Sequence, residues 1–406
     1  MKQVTQNAYR IMLMMFIITG ITPFTNDVFL ASMPSMSHYF HTNNIQLMMT
    51  VFMATFAVSQ LVYGPLSDRF GRKPIFLLGL VIYILGCLMT VFAHPFAELL
   101  VGRAVQAVGV ATVIISVFAI IRDSYTKTDI GKNIAIVMGI IGACPMLSPI
   151  VGSAIQSYFQ WRGNMFLLLF MGIVALLFIA IFLKETMVEK NLRALKTKHI
   201  INNYFTILKH KPFQGYAFAG ALGYSALFCY LAAAPIIIIT LFGRSISEFA
   251  LLCAINATGL VVTAIVAPKL SRLKNTATTL HVSAALITLG GLILLTFSCI
   301  FTLQLWMITL PMFIMTLGVG LMRPTASAGA LQAFPATIAG SASAMYSFIS
   351  FGVSAIFIGF VHCILNDNLT IFAALILMLG LLSRLSAMRS EEKSIMIKTD
   401  MCNQYT

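Results

Sequence analysis

Two ionisable residues lie inside long apolar runs, where charge is costly. Asp27 occurs in Asn26-Asp27-Val28-Phe29-Leu30-Ala31-Ser32-Met33-Pro34, and Arg103 occurs in Leu99-Leu100-Val101-Gly102-Arg103, with Gln106 one turn further on. An arginine at the centre of a bilayer costs about 2.5–3.5 kcal/mol on insertion scales, so it needs a polar cavity or a partner. If the first helix ends near Pro34, Asp27 lies about 10 Å below that end at 1.5 Å per residue. Arg103 falls at a similar depth on the fourth run. Opposite charges at matched depth invite a pair, and a carboxyl beside a cation that can move is able to release and take up a proton. Blander readings are a helix-end carboxylate already in water for Asp27 and snorkelling to the interface for Arg103.

Two further strings have a physical sense of their own. Gly64-Pro65-Leu66-Ser67-Asp68-Arg69-Phe70-Gly71-Arg72-Lys73-Pro74 combines a tight turn on Gly71 with charges able to pair between helix ends. Asp68 can sit at the positive N-terminal end of a neighbouring helix, and Arg72 can reach an acid on another helix end. The alternative is ordinary loop charge, which alone would require neither Asp68 nor Gly71. The second string holds Gly139, Gly142, Pro145, Pro149 and Gly152. Glycines and prolines so spaced give a kinkable helix that neighbours can approach closely, although Gly and Pro are common in membrane helices generally.

The same residue types exclude other chemistry. No HExxH, GxSxG or clustered Asp/His set occurs in the apolar runs, so no catalytic residues, metal site or cofactor are expected. Cys87, Cys144, Cys229, Cys253, Cys299, Cys363 and Cys402 form an odd set without CxxC spacing and read as small buried hydrophobes.

The elements that must position these residues are set by composition. Of 406 residues 59% are hydrophobic and only 9% charged, against about 25% charged in soluble domains. So few charges cannot cover a water-exposed surface, and lipid must be the solvent. Apolar runs cover about 9–34, 46–66, 75–93, 98–121, 133–158, 164–183, 213–240, 248–268, 277–299, 304–323, 336–361 and 370–387. The first reads as an uncleaved helix, since no convincing cleavage site comes after it. With a cytoplasmic N-terminus, 23 of the 26 Lys and Arg fall on the cytoplasmic side, Arg162 and Arg244 fall outside, and Arg103 is within a helix. The positive-inside rule then places both termini in the cytoplasm. The net charge of +14 is thereby explained by topology rather than nucleic-acid binding.

The longest polar stretch, Lys184 to Lys211, reads as a linker between two halves. Expected boundaries are 1–183 for the first bundle, 184–212 for the linker, 213–389 for the second bundle and 390–406 for a polar, disordered cytoplasmic tail. Pro65-Leu66-Ser67-Asp68-Arg69 returns as Pro268-Lys269-Leu270-Ser271-Arg272, consistent with internal repeats. The second half offers no acid inside a run. Aromatic and polar candidates for a cavity are Tyr216, Tyr224, Phe228, Tyr230, Asn256 and Tyr346, joined from the first half by Asn26, Gln60, Tyr63, Gln106 and Met146. Packing between helices is the blander use for each.

The string at Gly64 to Lys73 resembles the loop signature of the major facilitator superfamily at every defined position. The Asp27 to Pro34 segment, with Ala31 where a proline is usual, and the junctions Ile121-Arg122-Asp123 and Leu183-Lys184-Glu185-Thr186 are similar to those of its Bcr/CflA drug:proton antiporters. The resemblance implies an all-α membrane fold of twelve transmembrane helices in two six-helix, pseudo-symmetric halves. It implies a conformational latch of Gly64, Asp68, Arg69, Gly71, Arg72, Arg122 and Asp123, with Asp123 as the acid for Arg72. Run four resembles the arginine-bearing helix tied to proton coupling. The Gly/Pro string resembles the antiporter signature of exporters, departing from it at Cys144 and Ser153.

The protein is therefore expected to be a multi-pass protein of the cytoplasmic (inner) membrane. It exports amphipathic small molecules or drugs in exchange for protons, with Asp27 and Arg103 as coupling residues. The expected partners are a small-molecule substrate, protons and the lipid bilayer, with no nucleic acid and a monomeric state. Two alternatives stay open: transport of one specific metabolite or siderophore in either direction, and a non-transporting membrane sensor or scaffold.

Overall fold

The computed structural model describes residues 18–124, 127–187, 197–301, 304–332, 334, 338–365 and 369–391. Among these, every regular element is helical. In lipid, backbone groups must be satisfied within the segment, and an apolar helix does that alone. The first crossing, described from residue 18, consists of α1 (Ile21–Asp27), a tight 3-10 turn (Leu30–Ser32) and α2 (Met33–Tyr39). Then come α3 (Leu47–Phe70), α4 (Arg72–Val91), α5 (Phe96–Ser124) and α6 (Lys127–Phe182), the last being two helices joined at Gln160, whose φ is 59°. After α7 (Thr197–Lys209), α8 (Lys211–Pro235) runs into a π-helical turn, Ile236–Leu241. The chain finishes with α9 (Ile246–Lys274), α10 (Thr276–Ile300), α11 (Trp306–Gln332), α12 (Ala339–Leu365) and α13 (Leu369–Glu391).

Ten helices among the described residues are long and apolar enough to cross a membrane. The first crossing and the stretch of α6 before Gln160 bring the number to the expected twelve. Large apolar side chains such as Phe159, Phe170, Ile181 and Ile265 remain exposed on the outward faces, as lipid requires.

Three element boundaries differ from those read in the sequence. The first helix was expected to end near Pro34, yet Pro34 sits in the first turn of α2, where its missing N–H costs nothing. The linker contains a helix, α7, whose Ile207 is buried while Ile201 and Phe205 are exposed. The tenth run was expected to stop at Arg323, but α11 continues through Pro324 to Gln332.

The chain divides into two compact units. The first comprises Met1–Thr197 with Pro235–Ala254, and the second comprises Lys198–Ala234 with Ile255–Thr406. In the first unit α4 and α5 lie in close contact over much of their length. A Cβ on Gly109 would stand 2.6 Å from the carbonyl oxygen of Gly79 and from Tyr83 Cα, so only glycine allows that approach.

Candidate functional site

The charge at Arg103 is held by a shell drawn from four segments. Its side chain is fully buried. Nη1 donates to the Thr25 carbonyl at 3.0 Å and to Gln106 Oε1 at 2.9 Å. The guanidinium carbon stands 4.5 Å from the centre of the Phe29 ring and 4.3 Å from that of Phe52. Two aromatic faces thus supply negative quadrupole to a cation that lacks water. Gln106 is expected to line a cavity, but it is entirely buried and directed inward: Nε2 donates to Thr90 Oγ1 at 3.1 Å and to Cys87 Sγ at 3.2 Å. Gln106 therefore orients Arg103 and is removed from the lining.

Thr25 connects this shell to the first crossing. Its Oγ1 donates to the Ile21 carbonyl at 2.7 Å and lies 2.7 Å from Tyr83 Oη. The α-helix stops at Asp27, so the Thr25 carbonyl meets a guanidinium at the point where the regular ladder gives out. Asp27 is buried, and Asn26 Nδ2 donates to its Oδ1 at 2.5 Å. The expected contact between Asp27 and Arg103 is not made as an ion pair: the arginine is spent on Thr25, Gln106 and the two rings. Its Nε and Nη2 have no hydrogen-bond partner, although the charge of Asp27 is near enough to act on it. A buried donor left unpaired costs about 1–3 kcal/mol. The guanidinium therefore keeps two strong donors available to a carboxylate.

The segment after Asp27 is fastened to α6. A Cβ on Gly152 would run into the Val28 carbonyl. Asn164 Nδ2 donates to Ser32 Oγ at 2.8 Å and to the Gly152 carbonyl at 3.2 Å, and Gln156 Nε2 donates to Ser35 Oγ at 2.9 Å. Of the Gly/Pro string, Gly152 makes this close approach and Pro149 is buried. The side-chain positions of Gly139, Gly142, Pro145 and Met146 lie outside the described residues. Gln60, with Nε2 unpartnered, and Tyr63 are buried on α3.

The charged loop residues converge at the junction of α3 and α4. Arg72 Nη1 lies 2.6 Å from Asp68 Oδ1, and Arg72 Nε lies 3.0 Å from Asp123 Oδ2 at the end of α5. Arg122 is 3.7 Å from Asp123, and Arg69 stacks on Phe70 at 5.6 Å. Gly71 has φ 109° and ψ 160°, a conformation that costs other residues about 1–3 kcal/mol. Gly64, by contrast, faces open space. The start of α4 has no cap of its own. Glu185 supplies one: Oε1 accepts from Arg72 N at 3.0 Å and Oε2 from Lys73 N at 3.3 Å, placing a carboxylate at the positive end of the helix. Lys73 Nζ donates to the Ala180 carbonyl at 2.9 Å, a second tie to the end of α6.

In the second unit, Tyr224 of α8 packs edge-on against Phe228 at 4.6 Å and Phe351 at 5.8 Å. Arg323 of α11 stacks over the Tyr224 ring at 4.8 Å. Asn256 Nδ2 donates to Tyr230 Oη at 3.2 Å. Tyr346 stands on α12 against Gly220, and Tyr216 lies against Gly329. The structure thus brings Tyr224 and Tyr346 near Arg323, packs Phe228 against Tyr224, and ties Tyr230 to Asn256.

The family model of the Major Facilitator Superfamily matches residues 15–359. The chain belongs to the major facilitator superfamily. Within it, the chain is similar to a bicyclomycin resistance protein homolog of Haemophilus influenzae, 25% identical over 84% of this chain and 85% of that protein. It is also similar to multidrug resistance protein D of Escherichia coli K12, 24% identical over the same shares. Among solved structures, a D-xylose-proton symporter superposes with a TM-score of 0.74 at 14% identity, covering 95% of this chain and 97% of that one. Such identity speaks for the fold alone. As a superfamily member the chain is a multi-pass membrane carrier of small molecules, not an enzyme.

Several residues of this superfamily site were not singled out in the sequence. Glu185 stood in the Leu183-Lys184-Glu185-Thr186 junction, but nothing there assigned it to the start of α4. Phe29 and Phe52 carry no signal, because a ring that faces a cation looks like any other of the 31 phenylalanines. Asn164 and Gln156 are polar residues inside or beside an apolar run, which is the signal that could have found them.

Proposed function

We propose that the chain is a proton-coupled exporter of amphipathic small molecules, working by alternating access of its two halves, with Asp27 as the proton-carrying group. The observation that carries this reading is a buried acid at the point where the first crossing breaks, within electrostatic reach of a buried arginine that retains two unpartnered donors. A carboxylate can be stabilised by those donors when ionised and released from them when protonated, so protonation can bias which arrangement the first crossing adopts. The resistance proteins among the relatives favour drug-like cargo and export.

Other parts of the chain take supporting roles. The Arg72, Asp68, Asp123 and Glu185 cluster serves as the cytoplasmic latch, and the Gly152 contact lets α6 move with the first crossing. The charge distribution favours both termini in the cytoplasm, the bacterial relatives favour an inner membrane, and membership of the superfamily favours a monomer. One proton entering down the membrane potential releases about 2.3 kcal/mol per 100 mV, which can drive uphill efflux. The test is uptake of amphipathic dyes, ethidium first, into energised everted vesicles, with nigericin collapsing the pH gradient as control. Accumulation is expected to require the protein and to vanish with the gradient. Accumulation indifferent to the gradient rules the coupling out.

A further inference from the structure

We infer that Arg323, with Tyr224 and Tyr346 beside it, recognises an anionic group where the cargo has one, so that besides cations such as ethidium the carrier takes amphipathic aromatic molecules bearing a carboxylate, sulfonate or phosphate. Calling the ligand a cargo rests on the transport reading above; the binding site itself does not.

The sequence places a permanent charge where few acids could neutralise it. From Lys198 to Ser390 the chain holds two acids, Glu248 and Asp367. Glu248 belongs to the first unit, at the start of α9, and pairs with Arg244 at 3.6 Å. Asp367 lies outside the described residues. Among the described residues no carboxylate stands within ion-pair distance of Arg323. Because α11 continues to Gln332, this cation is not at a helix end but nine residues inside one, where it is half-buried. A half-buried guanidinium without a counter-ion keeps its charge and its donors free for an anion.

The neighbours suit an amphipathic anion. One face of the guanidinium is covered by the Tyr224 ring at 4.8 Å, which leaves its in-plane N–H edges for a planar or tetrahedral oxyanion to accept in pairs. Tyr346 lies within electrostatic reach of both Arg323 and Tyr224, and its phenol is a further donor. The three helices come together here because Gly220 has no side chain: a Cβ there would be 2.8 Å from Tyr346 Oη and 2.8 Å from Ala326 Cβ. Phe228 and Phe351 extend the Tyr224 wall with apolar surface. Arg103 is a different case, with rings on both faces and Gln106 as a fixed partner. Arg323 has one ring, and its side chain makes no hydrogen bond or ion pair among the described residues.

The test measures binding rather than transport. Purified protein in phosphatidylcholine nanodiscs is titrated with dansyl-glycine, 1-naphthylacetate and N-acetyl-tryptophan, each beside its methyl ester. At least one acid is expected to bind tenfold or more tightly than its ester. Arg323→Gln should bring that pair to within about twofold by weakening the acid alone, the size expected for a charge-assisted pair. If that variant does not fold, Arg323→Lys, which keeps the charge but not the fork, should weaken the acid at least threefold and spare the ester. The inference is overturned if no acid is preferred, if the preference survives these substitutions, or if acid and ester fall together. It is also overturned if phosphatidylglycerol added to the discs erases the preference in proportion to its content, since a lipid headgroup would then be the occupant. Ethidium efflux, read separately, reports on proton coupling, so failure of either claim leaves the other measurable.

Discussion

Replacing Gly71 by alanine tests the junction of α3 and α4 more sharply than replacing any of its charges. Two costs add. The backbone at φ 109° and ψ 160° is one that a residue with a Cβ occupies at about 1–3 kcal/mol. The new methyl would also displace Glu185, whose Oε2 it would strike and whose Cδ would lie at 3.1 Å. That removes the carboxylate from Arg72 N and Lys73 N. Loss of such a cap is worth about 0.5–2 kcal/mol, taken near the low end because Glu185 is exposed. Gly71→Ala should therefore destabilise the protein by about 2–4 kcal/mol, and Glu185→Ala by about 1 kcal/mol. Because the first change already evicts Glu185, the double variant should fall short of additivity by about 1 kcal/mol. Reversible denaturation in mixed micelles, followed by circular dichroism, measures all three. Full additivity, or a Gly71→Ala protein as stable as the parent, would refute the assignment of Glu185 as the cap of α4.

Other consequences can be checked together. Arg162 donates to the carbonyls of Val91 and Ala93 and to Tyr39 Oη, and stacks on Trp161 at 4.2 Å; Arg162→Ala should cost about 1–3 kcal/mol in the same assay, with Lys a poor substitute. Gln106→Leu should leave the fold intact by circular dichroism while slowing gradient-driven efflux at least tenfold, because Arg103 loses the group that orients it. His210 sits ahead of α8, and its Nδ1 accepts from Phe213 N at 3.3 Å. Burial lowers its pKa below 6.5, so the neutral ring is the favoured form. That contribution is present above pH 6.5 and lost as pH falls through the lowered value. Protection factors at the start of α8, after correction for the intrinsic pH dependence of exchange, should accordingly fall in mildly acidic buffer, and His210→Ala should remove that fall.

What the sequence revealed and what it hid divide along physical lines. The crossings were legible because lipid demands long uncharged runs, and the charged loop string because Gly71 and Asp68 have few other uses there. Asp27 and Arg103 stood out as charges amid apolar residues. Their surroundings did not. Arg103 is held by a backbone carbonyl, which no side chain advertises, and by two rings from other segments. Gln106 looked like a lining residue because one turn of helix cannot tell inward from outward. Glu185 acts on an amide 113 positions away. The end of α11 was misplaced because a charge followed by proline reads as a stop, whereas a proline late in a membrane helix forfeits only one hydrogen bond.

The central claim is that the carboxyl at position 27 carries the proton. In proteoliposomes, Asp27→Asn is expected to sustain exchange of labelled for unlabelled ethidium across the membrane, since that needs binding and alternation alone. The same protein should fail to accumulate ethidium when a pH gradient is imposed. Accumulation at the parental level by Asp27→Asn would contradict the account.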